Sequence, residues 1–305
     1  MKNSRSPAFL PYLLLVMGIL FLSISPLFVR WAKAPGVVTS FYRMLTVTIV
    51  TMLIFSLRRK PNGSKKNPGL VWLLPILGGL FSAADHALWS TSIENTFVAN
   101  ATLLNYIAPL WVSLIAIFIL HERYSSVFWL GLILVLSGAW FVTGVRVDDF
   151  SAFSMRGEGF AILSSFFYAG YFIISQRASI HFKVLHYLMI SSAAAMTVLF
   201  IIILFSGFSL INYSRETFLI FLTAGLFSQL GGYFCINYAL RHIPAPIVST
   251  WLILQPVITA VLAVRLQAEP LGFDKLMGGL LVIGGVYIVN RSKSKTNLHF
   301  AESEN

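Results

Sequence analysis

Residues 185–206 read LHYLMISSAAAMTVLFIIILFS, with no Asp, Glu, Lys or Arg anywhere in the stretch. The hydrocarbon core of a bilayer takes about 20 apolar residues as a helix. This stretch is therefore long enough to cross a membrane once. A lone strand would leave its backbone unsatisfied in lipid, and a β-barrel would show alternating segments about ten residues long. The run is continuous, so it reads as a helix.

Nine more runs of this kind lie on either side of it. They are residues 9–29, 37–57, 70–89, 96–120, 127–145, 157–177, 217–240, 247–267 and 272–290. Ten spans of about 20 residues use about two thirds of the 305 residues and leave only short loops. Composition agrees. Charged residues are 11% of the chain, against roughly 25% in a soluble domain. Hydrophobic residues are 57% and the mean hydropathy is +0.80. A soluble enzyme, a disordered chain and a fibrous chain are excluded. The first run ends in Ser25-Pro26-Leu27-Phe28, without a small-x-small site before a polar start. It is therefore expected to be a span and not a signal peptide.

The formal net charge of +11 does not point to nucleic acid. The basic residues sit in short loops between apolar runs, as a topology signal does. With the N-terminus placed in the cytoplasm, inside segments hold fourteen Lys and Arg and outside segments seven, and Arg43 lies within a span. The densest cluster, residues 58–66, falls inside. Both termini are therefore expected in the cytoplasm of a bacterial inner membrane. The single cysteine, Cys235, excludes a disulfide within the chain and a cysteine metal site.

The chain repeats itself. Gly79-Leu80-Phe81-Ser82 recurs as Gly225-Leu226-Phe227-Ser228. Pro109 recurs as Pro256, Glu122 as Glu269, Gly131 as Gly278 and Gly138 as Gly285. The halves are residues 1–150 and 151–305, five spans each. An odd number of spans forces the halves to insert with opposite orientation. The expected fold is an all-α integral membrane protein, ten transmembrane helices in two inverted five-helix repeats. In such folds the substrate site lies near the midplane, where the halves meet.

Several motifs carry a resemblance. Phe41-Tyr42-Arg43, Asp85-His86-Ala87-Leu88-Trp89 and the run from Thr96 to Leu104 are the first three. Pro109-Leu110-Trp111 and His121-Glu122-Arg123 follow, and Gln255-Pro256-Val257 with Glu269 repeats the pattern. The chain resembles the ten-span EamA-type members of the drug/metabolite transporter superfamily over nearly its whole length. It departs from them at Ala268-Glu269-Pro270, where Gly-Glu is commoner. The resemblance implies a secondary transporter, often an exporter of metabolites or amino acids, and names no substrate. The rivals are a nucleotide-sugar or multidrug-type carrier and an integral membrane enzyme acting on lipid. A nucleotide-sugar carrier would call for a basic cavity, and Arg43 is the only Lys or Arg within the spans away from their ends.

Charges inside a span are expensive and mark function by default. Arg43 lies roughly 9 Å below the outer face, and Asp85 roughly 6–10 Å, at 1.5 Å per residue. Opposite charge at matching depth suggests an ion pair or a shared polar network, acting as a structural clamp or as an outer gate or coupling site. The second half has Met189 and Gly231 at the equivalent positions. His86 follows Asp85 as a proton carrier or a hydrogen-bonded packing residue. Asn105 and Tyr106 precede the kinking Pro109, and Gln255 precedes Pro256. Gln229, Tyr233 and Asn237 fall on one face of the eighth span, and Tyr168 and Tyr171 on one face of the sixth. Trp89, Trp111 and Trp251 line the path or anchor at interfaces. The glycine pairs are read as packing devices.

No G-x-x-x-x-G-K-[ST] stretch is present, so ATP is not expected to drive the protein directly. No cofactor or metal is expected. The expected partners are a small-molecule substrate, membrane lipid and a proton or ion gradient. Nucleic acid is not among them, and the oligomeric state is not assigned.

Overall fold

A computed structural model describes residues 9–57, 69–96, 98–145, 155–267 and 272–292. The basic cluster 58–66, and Glu269 with its turn, lie outside the described residues. Every regular element among the described residues is helical. Among the described residues, nine helical segments are long and apolar enough to cross a membrane, and a shorter apolar helix covers Ala245–Thr259.

The helices are broken where the sequence supplies proline or crowds backbone. α1 (Phe9–Ser23) and α2 (Ser25–Ala32) meet just before Pro26, and α3 is Gly36–Leu57. A single turn, Gly69–Trp72, leads into α4 (Leu73–Asn95). α5 (Val98–Asn105) and α6 (Ala108–Phe118) are separated at Tyr106–Ile107, with Pro109 in the first turn of α6. α7 is Ser126–Thr143, α8 is Met155–Ala178 and α9 is Val184–Ser206. α12 (Ala245–Trp251) and α13 (Leu254–Gln267) repeat the α5–α6 break before Pro256. α14 is Phe273–Arg291. Proline has no N–H to give the carbonyl four residues back. The chain therefore tightens at the breaks, where Gln255 N donates to Leu252 O at 3.0 Å and Leu110 N to Ile107 O at 2.8 Å.

Two features depart from the sequence reading. First, α4 continues past Trp89 to Asn95. The polar residues Ser90 and Thr91 end the apolar run but not the helix. Their hydroxyls donate back to His86 O at 2.7 Å and Ala87 O at 2.9 Å. Asp85 is thereby about 15 Å from the end of its helix at 1.5 Å per residue, deeper than expected. Second, the eighth span is not a plain α-helix. α10 (Arg215–Ala224) widens into a π-helical stretch, Gly225–Gly232, before α11 (Tyr233–Leu240). Its counterpart in the first half lies within the uninterrupted α4.

Glycines set the closest approaches. α7 and α14 run antiparallel, with the paired glycines facing. A Cβ at Gly138 would stand 2.7 Å from Gly278 O, and one at Gly285 would stand 2.7 Å from Gly131 O. The two contacts are reciprocal under exchange of Gly131 with Gly278 and Gly138 with Gly285. A second matched set joins α4 to α9 and the π stretch to α3. Gly79 lies against Ser191 and Ala195, and its counterpart Gly225 against Thr46. Small residues let backbones meet and gain dispersion contacts, which drive helix association where lipid competes with apolar side chains.

Candidate functional site

A cavity of about 110 Å³ lies among α1–α2, α3, α4, the α5–α6 break, α8, α11 and α13. That is about an order of magnitude above the roughly 10–15 Å³ needed for one water. Arg43, Asp85, His86, Trp89, Asn105, Tyr106, Tyr168, Tyr233 and Gln255 line it. Leu22, Ser25, Pro26 and Thr102 complete the wall. The helix breaks at Pro26, Pro109 and Pro256 are what bring α1–α2, α5–α6 and α13 to it.

Arg43 and Asp85 share this wall but do not form an ion pair. Arg43 is 5% exposed. Its Nη2 donates to Ser228 Oγ in the π stretch at 3.4 Å, and its Nε has no hydrogen-bond partner. Asp85 is 7% exposed. Its Oδ1 accepts from Ser164 Oγ at 2.6 Å and from Asn105 Nδ2 at 3.3 Å. Asn105 Nδ2 also donates to Ser164 Oγ at 2.8 Å. The carboxylate is thus tied across to α8 and α5 rather than to the guanidinium. The His86 ring lies beside it, with Nδ1 3.6 Å from Asp85 Oδ2 and 2.8 Å from Ser82 O.

The remaining candidates sit beside or beneath the cavity. Tyr171 and Gln229, with Tyr233, border a void of about 10 Å³, too small for a solute. Asn237 donates to Tyr171 Oη and to Tyr233 O, both at 2.8 Å. Ser175 Oγ and Tyr187 Oη are 2.6 Å apart. Tyrosines therefore close one end of the cavity with a satisfied network. Gln229 Oε1 is buried without a partner. Trp111 Nε1 donates to Ser165 Oγ at 3.0 Å, and Trp251 packs on Tyr12 with ring centroids 5.5 Å apart. Neither borders the cavity. Pro109 and Pro256 act through the breaks they cause.

Ser164 and Glu158 are buried polar residues that the sequence reading did not single out. Ser164 stands four residues before Tyr168, so the stripe on the sixth span could have been extended to it. Glu158, 1% exposed, lies in the first turn of α8 and resembles an ordinary helix-end acid. Its Oε1 accepts from Thr96 Oγ1 at 2.5 Å, and its Oε2 has no partner. Gly157 allows this approach, since a Cβ there would stand 2.8 Å from Asn95 O. Among the described residues, no group of three His, Cys, Asp or Glu is placed to hold a metal.

Apolar helices of this number and length make the chain a multi-pass integral membrane protein. It belongs to the EamA-like transporter family, which matches residues 9–144 and again 155–291. The chain is 26% identical over 287 residues to the pseudopaline exporter CntI of Pseudomonas aeruginosa, covering 92% of this chain and 96% of that one. It is 24% identical over 261 residues to an uncharacterized transporter of Archaeoglobus fulgidus, covering 82% and 86%. A solved crystal structure superposes with a TM-score of 0.76 over 92% of this chain and 96% of its own, at 17% identity. That likeness concerns the fold alone.

Proposed function

We propose that the protein is a secondary transporter that exports small metabolites, amino acids or related compounds among them, by alternating access. The observation that carries this reading is the cavity. Residues 22–106 of the first half and residues 168–255 of the second supply its wall, and it presents a cation, a carboxylate and aromatic rings to one small volume. A polar cavity where two halves meet is where folds of this kind bind substrate.

The architecture in this reading is ten spans, as two inverted five-helix repeats over residues 1–150 and 151–305, in a bacterial inner membrane with both termini cytoplasmic. The reciprocal contacts of Gly138 with Gly278 and of Gly131 with Gly285 support a two-fold relation between the halves. The separate family matches to residues 9–144 and 155–291 support the same division. The exporter name of one relative supports the outward direction. The asymmetry of charge between the repeats supports a cavity whose two ends differ in chemistry.

Purified protein in liposomes should exchange a radiolabelled mixture of amino acids, and protein-free liposomes should not. Cells lacking the chain should accumulate a metabolite that overexpressing cells release. Reporters fused after Lys66 and after Asp149 should read cytoplasm and outside respectively. Reversed labels at both positions would overturn the orientation.

A further inference from the structure

Asp85 is a buried carboxylate whose hydrogen-bond donors are neutral. Ser164 and Asn105 both give to Oδ1, and Oδ2 accepts from neither. His86 Nδ1 lies 3.6 Å from Oδ2, beyond hydrogen-bond reach. That nitrogen is taken by Ser82 O at 2.8 Å. Arg43 on α3 lines the same cavity and is held by Ser228 instead. The other titratable groups facing Asp85 are the phenols of Tyr106 at the α5–α6 break, Tyr168 on α8 and Tyr233 on α11. α9 contributes nothing to this wall.

A carboxylate in poorly solvated surroundings needs a counter-charge, and among the described residues no Lys or Arg forms an ion pair with Asp85. The cavity therefore leaves that place for something that comes and goes. A sodium ion would want several oxygen ligands around it, and here the wall carries a guanidinium. A proton needs one oxygen.

We propose that transport is coupled to protons at Asp85, which carries a proton when the cavity is empty and gives it up when a substrate's cationic group takes its place. This rests on the transporter reading and deepens it. The O–H bond of the carboxyl breaks, the electron pair stays on the oxygen, and the proton passes to water on the side to which the cavity then opens. The substrate's cation becomes the counter-charge. Substrate and proton exclude each other at one oxygen, so one moves in as the other moves out. The substrate class is then a small molecule with a cationic group. Arg43, separately anchored on Ser228, lines the same wall and faces an anionic group on the same molecule.

Two measurements on the full chain in liposomes test this. The first needs no substrate. An infrared difference spectrum between about pH 5 and about pH 8 should show a protonated carboxyl appearing on acidification, and Asp85→Asn should remove that band. The second uses the radiolabelled amino-acid mixture with a pH dye trapped inside. An imposed pH gradient should drive label in the wild type. Exchange without a gradient should weaken by up to about tenfold per pH unit on the acid side, as one competing proton requires. Asp85→Asn should exchange slowly, with no dependence on pH, and should not follow the gradient. An Asp85 carboxyl that does not titrate overturns the coupling whatever the label does. So does an Asp85→Asn protein that still follows the gradient. A titrating band with no label movement in either protein counts against the amino-acid reading of the cavity and leaves the proton site standing.

Discussion

Ser164 Oγ on α8 stands 2.6 Å from Asp85 Oδ1 on α4, and this contact occupies the place that an Arg43–Asp85 ion pair would have taken. A buried acceptor left without its donor costs about 1–3 kcal/mol. Ser164→Ala is expected to lower stability by this amount, and Ser164→Thr, which keeps the hydroxyl, by much less. Thermal unfolding in detergent is the measurement. Equal midpoints for wild type and Ser164→Ala would show that the hydroxyl contributes nothing to holding Asp85.

Neighbouring glycines on α14 give a second test, with its control built in. A Cβ at Gly285 would meet Gly131 O at 2.7 Å and Val135 Cγ2 at 2.6 Å, and one at Gly284 meets nothing within 4 Å. Gly285→Ala must separate α7 from α14. Overpacking of this kind costs typically about 1–3 kcal/mol. Gly284→Ala removes helix-interior glycine flexibility and should be neutral or stabilising by up to about 1 kcal/mol. Folded yield after extraction should fall for the first change only. Equal yields would remove the glycine contacts from any account of how the halves meet.

The sequence announces helices and crossings because lipid permits little else. A run such as residues 185–206 has one structure available to it. Pro109 and Pro256 mark the breaks because a missing N–H is legible one residue at a time. Tertiary choices are not legible in this way. Arg43 and Asp85 read as partners by charge and depth, yet Asp85 is held by Ser164 and Asn105, and Ser164 is marked in the sequence only by its place one turn before Tyr168. The end of α4 was misplaced because Ser90 and Thr91 look like a loop when polarity alone is counted. In the helix they satisfy themselves on carbonyls a turn back. The π stretch Gly225–Gly232 is not announced either, since its first four residues repeat those of the α-helical segment that starts at Gly79. The two stretches part after those four residues: where α4 carries Asp85 and His86 the π stretch has Gly231 and Gly232, and Gly232 packs on Leu22.

Glu158 and Thr96 tie the start of α8 to the end of α4. A carboxylate 1% exposed with one oxygen unpartnered is costly unless its single donor is kept. Thr96→Val should therefore destabilise more than Thr96→Ser. Glu158→Gln should be milder than Glu158→Ala, which empties the space as well. The order of unfolding midpoints in detergent checks both pairs. If Thr96→Val and Thr96→Ser behave alike, the hydroxyl is not what holds Glu158.

Access to water should follow the cavity wall and not the one-face stripe. Cysteines placed singly at Asn105 and Tyr233 face the cavity, while Asn237 is closed off by Tyr171 and the Tyr233 carbonyl. With Cys235 replaced first, the first two should react with a membrane-impermeant thiol reagent and the third should not. Equal labelling at all three would mean that the tyrosine network does not close that end of the cavity.

Arg43 and Asp85 are held by different partners, and this makes a quantitative expectation for their double mutant. Residues that share no partner usually give additive effects, within about 0.3–0.5 kcal/mol, whereas members of one ion pair couple by about 0.5–3 kcal/mol. Arg43→Met and Asp85→Gly copy the second repeat, where Met189 and Gly231 stand. Arg43→Met leaves Asp85 with Ser164 and Asn105. Asp85→Gly leaves Arg43 with Ser228, so neither single change strands a charge that the other would relieve. The double mutant should therefore be about as unstable as the two singles together, and its transport no better than that of the weaker single. Unfolding midpoints and amino-acid exchange measured on all four proteins close the cycle. A double mutant more stable than either single would mean that the two charges pair across the cavity, and the separate anchoring of Arg43 and Asp85 would have to be given up.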